Sequence, residues 1–271
     1  MRLNRNFATL LSQPWAIRAA SMAAMMESMT YKAQDGDQII ERDDEEDDGG
    51  YVVQDGIATI AISGVIGKKL PKWIAEFFGM TDVDEVSAMV KLANADPEVR
   101  GILLDIDSPG GTVAGVPEVA DEIRASGKPV FAFSDGLMAS AAYWLAAGAS
   151  GIFASPSALV GSIGVFVPIA DMRRMYEMAG IEMEIIKAGD LKAAGYPGTS
   201  LTQDQRDDIR RSVEHIYGKF TGFVLAREGE QPIPPNAMRG QDFYADQVEA
   251  LGLVDGIATR AEVLADLREY A

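Results

Sequence analysis

The sequence predicts an α/β fold, and three observations carry that expectation. Short apolar runs of strand type, Ile102–Asp107 and Val130–Phe133 among them, alternate with stretches whose apolar residues recur at helical spacing. Connectors rich in Gly and Pro, such as Ser108-Pro109-Gly110-Gly111 and Gly127-Lys128-Pro129, punctuate the two kinds of run. Hydrophobic residues fill 48% and charged residues 24% of the 271 positions, an ordinary globular balance that is long enough for a full core. Strands that alternate with helices pair in parallel, because each helix carries the chain back across the sheet.

The elements follow in order. Residues 1–33 are basic and partly apolar, and Leu10, Leu11, Trp15, Ile17, Met22 and Met25 suggest an amphipathic helix that docks on a partner or, alternatively, lies on a membrane surface. Arg18 interrupts the apolar run, and no stretch approaches the roughly 18 apolar residues of a membrane span. The expectation is therefore a cytoplasmic protein without stable membrane insertion. Residues 34–50 form a boundary: seven of the eight residues from Glu41 to Asp48 are acidic, and Gly49-Gly50 follows. Like charges with nothing to bury read as a flexible linker.

Residues 51–271 then read as a single domain. Gly56–Ser63 alternates like a strand, and Val83, Val86, Val90 and Ala93 fall on one helix face before Asp96-Pro97. Ile102–Asp107 is a buried-strand run, followed by a helix from Val116 to Ala125 and a strand over Val130–Phe133. A helix over Ser140–Ala147, a short strand near Ile152-Phe153 and a strand over Glu182–Lys187 come next. Ile209, Val213, Ile216, Phe220 and Val224 mark a long amphipathic helix.

Composition removes several chemistries. With 24 Lys+Arg against 41 Asp+Glu the formal net charge is −17, which argues against nucleic-acid binding. These residues contain no Cys, so disulfides, thiol nucleophiles and Cys-ligated metals are out. One histidine, His215, cannot build a His-rich metal site and reads as structural. A nucleophilic enzyme with this composition must use Ser or Thr, with Lys or a carboxylate as its base. No metal or organic cofactor is implied.

Three segments carry that chemistry. In Asp107–Thr112, Gly110 and Gly111 free the backbone beyond a buried strand, so that their N–H groups can face a cleft. In Asp135–Trp144, Ser140 stands where a helix begins, a place that favours developing negative charge. The Ala141 N–H can complete an oxyanion hole there, although a serine at a helix start is more commonly a cap. In Ile185–Gly195, Lys187 and Lys192 flank a Gly-containing turn; a lysine acts as a base only when neutral, and any single lysine is ordinarily a solvated surface residue.

Together these segments resemble the signal-peptide-peptidase-A family of Ser/Lys peptidases, within the Clp-protease/crotonase fold. The resemblance rests on Ser108–Gly111, Ser140, Gly161-Ser162-Ile163-Gly164 and Lys192, in that order, with 52 residues from Ser140 to Lys192. It runs from about Tyr51 to Ile257, where Met238–Tyr244 and Ala250–Asp255 resemble the family's closing helix and strand. It implies Ser140 as nucleophile, Lys192 as general base and Ser162 as the residue that orients the lysine, with Lys187 as the rival base. It also implies an oxyanion hole from Gly110, Gly111 and Ala141, and substrate extended along the strand beside the SPGG turn. Two departures stand out: Ser140 is followed by Ala141-Ala142 rather than by two glycines, and no membrane anchor is evident.

The opening Leu10–Ile17, the Val113-Ala114-Gly115 after the glycines and the missing anchor are similar to the capsid assembly proteases of tailed phages. That subgroup implies scaffold, portal and capsid proteins as substrates, a homo-oligomer, and action in the host cytoplasm or inside the immature head. Three alternatives stay open: a cytoplasmic peptidase that degrades peptides, an acyl-CoA enzyme of the crotonase type, and a catalytically inactive scaffold protein. Trp73, Phe77 and Phe78, after Lys68-Lys69, read as a subunit contact or cleft rim.

Overall fold

The computed structural model describes residues 13–26, 50–227 and 232–271. In chain order the elements are β1 (Trp15–Ile17), β2 (Val52–Gln54), β3 (Ile57–Ser63), β4 (Ile66–Gly67), α1 (Lys72–Phe78), β5 (Thr81–Asp82), α2 (Val83–Ala95), β6 (Gly101–Asp107) and β7 (Gly110–Thr112). There follow α3 (Val116–Arg124), β8 (Val130–Ser134), β9 (Leu137–Ala139), α4 (Ala141–Ala146), β10 (Gly151–Ala154), β11 (Leu159–Gly161) and α5 (Arg173–Met178). The last are α6 (Gln203–Leu225), β12 (Asp242–Tyr244), α7 (Ala245–Ala250), β13 (Gly256–Ile257) and α8 (Arg260–Tyr270). Leu10, Leu11 and the acidic stretch 34–49 lie outside the described residues.

The main sheet has six strands in the order β13-β10-β8-β6-β3-β2, parallel except where β2 turns back on β3. Its central strands are apolar on both faces because helices cover both. Ile60, Ile62, Leu104 and Ile106 meet α2 and α3 through one cluster, while Ile57, Leu103, Phe131 and Phe133 meet α8 through another. Each such fully buried branched or aromatic side chain contributes about 1.5–3 kcal/mol. The continuous apolar runs read from the sequence are these doubly covered strands. Val83, Val86, Val90 and Ala93 are all buried on α2, whose start is capped by the Asp82 carboxylate accepting from the Asp84 N–H.

Two smaller sheets stand at the carboxyl end of the main one. The first has the order β12-β11-β9 and the second β1-β7-β4-β5. Between them lies α4, all six of whose residues are buried. Trp144 stacks on Phe220 of α6 with centroids 4.4 Å apart, and the Tyr143 hydroxyl donates to the Leu253 carbonyl at 2.7 Å. Burial holds that phenol well above its ordinary pKa, so it remains a donor.

Two expectations need correction. Trp15 and Ile17 belong to a strand rather than to an amphipathic helix, and the described helical residues there are 19–26. Pro14 removes a backbone donor, and the open edge of β7 offers Trp15–Ile17 the pairing that decides their conformation. Glu182–Lys187 is not a strand: it pairs with no described strand, and Ile186 is 94% exposed. A lone extended run has no partner for its backbone groups, so β propensity alone does not make a strand. No residue from 168 to 197 is buried.

Candidate active site

Ser140 is set by the two strands on either side of it. It ends β9 and caps α4 with φ 56° and ψ −118°, a conformation that a non-glycine residue adopts only when its surroundings impose it. The Ser140 N–H donates to the Gly161 carbonyl at 2.8 Å, and the parallel register pairs Gly161 with Ala139. Ser162 therefore stands beside Ser140 at the strand ends. It too has positive φ (52°), and its N–H donates to the Gln241 carbonyl at 2.8 Å. The Ser140 side chain is fully buried, and its Oγ has no hydrogen-bond partner among the described residues. A plain cap would use that oxygen on its own helix; this one does not.

The SPGG turn is braced from beneath. Ser108 Oγ donates to the Gly64 carbonyl at 2.6 Å and accepts from the Gly110 N–H at 3.1 Å. The Asp107 carboxylate accepts from the Leu137 N–H at 3.1 Å, tying β6 to the strand that delivers Ser140. Gly110 sits at φ +90°, where a Cβ would stand 2.8 Å from the Ala141 nitrogen. Ala141 is the first residue of α4, where an amide has no acceptor within the helix. Gly110 and Ala141 thus stand close together next to Ser140, while the Gly110 N–H itself is taken by Ser108 Oγ. This arrangement can hold a negatively charged oxygen on backbone amides.

Gly111 is required for packing as well. A Cβ there would lie 1.8 Å from the Ile66 carbonyl oxygen of β4, which no side chain can relieve. Gly111→Ala should lower stability by about 1–3 kcal/mol, the usual cost of overpacking. Chemical denaturation checks this; an alanine variant with wild-type stability would show that β4 yields easily.

Lys192 and Lys187 lie elsewhere. Both are exposed, on the segment 168–197. The Lys192 backbone is held by its N–H donating to the Gly189 carbonyl and by Gln205 Nε2 donating to its own carbonyl, whereas Lys187 Nζ closes a turn onto the Asp190 carbonyl. Within one copy of the chain neither lysine hydrogen-bonds Ser140 Oγ. His215 is exposed on α6, and Trp73 and Phe77 of α1 are each more than a third exposed.

Sequence reasoning missed β1. It pairs antiparallel with β7, placing Trp15 opposite Thr112, Ala16 opposite Gly111 and Ile17 opposite Gly110. The strand edge expected to be open beside the SPGG turn is thus covered by the chain's own residues. Pro14 ahead of Trp15-Ala16-Ile17 was the available signal, since a helix rarely runs through such a start.

Parallel strands under helices, with a serine at a helix start facing a glycine-bearing strand, define the Clp-protease/crotonase class of α/β fold, and the Clp protease family model matches residues 79–160. The model of peptidase family S49 matches residues 122–271, more than half of the chain, and the chain belongs to that family. Among curated relatives it is 34% identical over 191 residues to capsid assembly protease C of Escherichia phage lambda, covering 68% of this chain and 43% of that protein. It is 33% identical over 181 residues to the head-tail preconnector protein GP5 of Enterobacteria phage P21, covering 66% and 36%. Protease 4 of Salmonella typhi is 29% identical over 221 residues, covering 79% and 34%. The chain thus spans less than half the length of these three relatives. A solved enoyl-CoA hydratase/isomerase family protein from Silicibacter pomeroyi covers 82% of the chain and 80% of its own, at 15% identity and a TM-score of 0.48. No helix among the described residues is long and apolar enough to cross a membrane.

Proposed function

We propose that this chain is a serine endopeptidase that works through an acyl-enzyme, with Ser140 as nucleophile and Lys192 as general base. The observation that carries the reading is Ser140 itself: a strained, buried serine whose Oγ is free, with the Ala141 amide at its side. Neutral Lys192 takes the Ser140 proton as Oγ attacks the peptide carbonyl. The amides of Gly111 and Ala141 hold the oxyanion, the Gly110 N–H being taken by Ser108 Oγ, and collapse of the intermediate expels the amine, which leaves with the lysine's proton. Water then hydrolyses the ester. Ser162 orients the lysine.

The lysine comes from a neighbouring subunit in this reading. Two observations support that: Lys192 is exposed and makes no hydrogen bond to Ser140 Oγ in its own chain, and the surrounding segment presents Met178, Ile181 and Ile186 to solvent. Exposed apolar side chains grouped in this way suit a contact with another copy.

The phage relatives favour head proteins as substrates: scaffold, portal and capsid subunits, cut in the host cytoplasm or within the immature head. Co-expression with candidate head proteins tests this, by intact-mass comparison of wild type with Ser140→Ala. Fragments that form only with wild type are expected. Identical masses in both, for every candidate head protein, would remove that substrate class.

A further inference from the structure

The strand β1 lies along β7, against the two glycines of the SPGG turn. Two hydrogen bonds fix its register on one side: the Arg18 N–H donates to the Pro109 carbonyl at 2.9 Å, and the Val113 N–H to the Pro14 carbonyl at 3.2 Å. Hydrogen-bonded pairs alternate along an antiparallel ladder, so Ala16 and Gly111, midway between those two, form the next such pair. The Gly111 N–H therefore faces the Ala16 carbonyl. That carbonyl oxygen and the Ala141 nitrogen stand 2.3 Å and 2.8 Å from the position a Cβ on Gly110 would occupy. The Ala16 carbonyl thus faces the Gly111 amide and lies on the same side of Gly110 as the Ala141 nitrogen, the two amides assigned above to the oxyanion.

The other edge of β1 is held equally well. The Trp15 N–H donates to the Phe166 carbonyl, and the Phe166 N–H returns the bond to the Trp15 carbonyl, both at 3.0 Å. Trp15 and Ile17 leave the strand on one side and pack with Met22, Val65 and Phe166. Ala16 points the opposite way and is fully buried against the main core. Beyond the strand, Arg18 pairs with the Asp242 carboxylate of β12.

We infer that Pro14–Arg18 is a tethered peptide seated in the substrate groove, with Ala16 where the attacked residue of a substrate lies. The groove's ligands are accordingly extended peptides with a small residue at that place and a large apolar residue on each side, and other peptides enter only when β1 leaves. This rests on the peptidase reading above. Backbone pairing supplies the affinity and the alternate side chains supply the selectivity, as in other strand-addition sites. Tethering gives β1 a high local concentration, which a free peptide must overcome.

The test uses the full chain, carrying the recognition sequence of a site-specific endopeptidase between residues 34 and 49 and nicked after folding. Binding of a fluorescein-labelled peptide of residues 12–20 is followed by anisotropy, and reaction of Ser140 with a fluorophosphonate by mass. Once the amino-terminal fragment has separated, the nicked protein should bind the peptide at least tenfold more tightly than the intact chain does and react at least tenfold faster. A peptide with Ala16→Trp should bind at least tenfold more weakly. Equal binding and equal labelling before and after separation would overturn the inference.

Should the fragment stay attached, the intact Trp15→Ala chain replaces it, and the same gains are expected. Wild-type rates in a folded Trp15→Ala chain would overturn the inference. So would failure of that chain to fold, since β1 would then be part of the framework rather than a ligand. Peptide binding does not require Ser140 to react, so binding without labelling in any form counts against the nucleophile and leaves the groove assignment standing.

Discussion

Replacing Ser140 with alanine should reduce peptide hydrolysis by about ten-thousand-fold or more, the scale on which serine hydrolases lose rate when their nucleophile is removed. It should also abolish fluorophosphonate labelling. The change deletes one buried oxygen that has no hydrogen-bond partner among the described residues, so little folding energy goes with it. Steady-state hydrolysis of a protein substrate and thermal melting of the same preparation separate the two effects. A folded Ser140→Ala chain that retains even a tenth of wild-type activity would move the nucleophile elsewhere.

The second large effect is a gain. Ser140→Ala and Lys192→Ala proteins should each be inactive alone, yet mixing them under subunit exchange should restore about a quarter of wild-type activity. In a head-to-tail ring each contact joins the Ser140 face of one copy to the Lys192 face of the next, and each partner is intact about half the time. If both residues acted within one chain, no subunit in the mixture would hold both, and activity would stay at background. Native mass spectrometry on isotope-labelled proteins confirms exchange independently. Background activity with exchange confirmed would return Lys192 to its own subunit or dismiss it as the base.

What the sequence reveals of this fold depends on how many residues an element spends on its pattern. The runs Ile57–Ser63 and Gly101–Asp107 are seven residues each, with four and five of them buried, so their apolar character is plain in one dimension. The same holds for α2, whose four buried apolar positions repeat at helical spacing. The two smaller sheets are different. Strands β4, β5, β7, β9, β11 and β12 have two or three residues each, too few for any periodicity, and they exist because neighbouring edges satisfy their backbone groups.

The candidate site was legible for a related reason and opaque for another. Ser140, Ser162, Gly110 and Gly111 stand at strand ends, where backbone shape demands small residues, and that demand leaves a trace in the sequence. Lys192 leaves none in the geometry of one chain. Trp15–Ile17 were misread because three apolar residues on a partner's edge look the same as three on a helix face. Glu182–Lys187 erred in the opposite direction: Ile185 and Ile186 promised a strand that no neighbour among the described residues completes.

The helix behind Ser140 has no solvent face. Every residue from Ala141 to Ala146 is enclosed, with Trp144 stacked on Phe220 and Tyr143 bonded to the loop before β13. Natural variation and laboratory evolution alike find changed specificity most readily at positions that tolerate substitution, and this helix offers none. New preferences in such an enzyme will therefore arise in the rims, from Val65 and Phe166 or in the exposed segment around Lys192, while the six residues beneath the serine stay as they are.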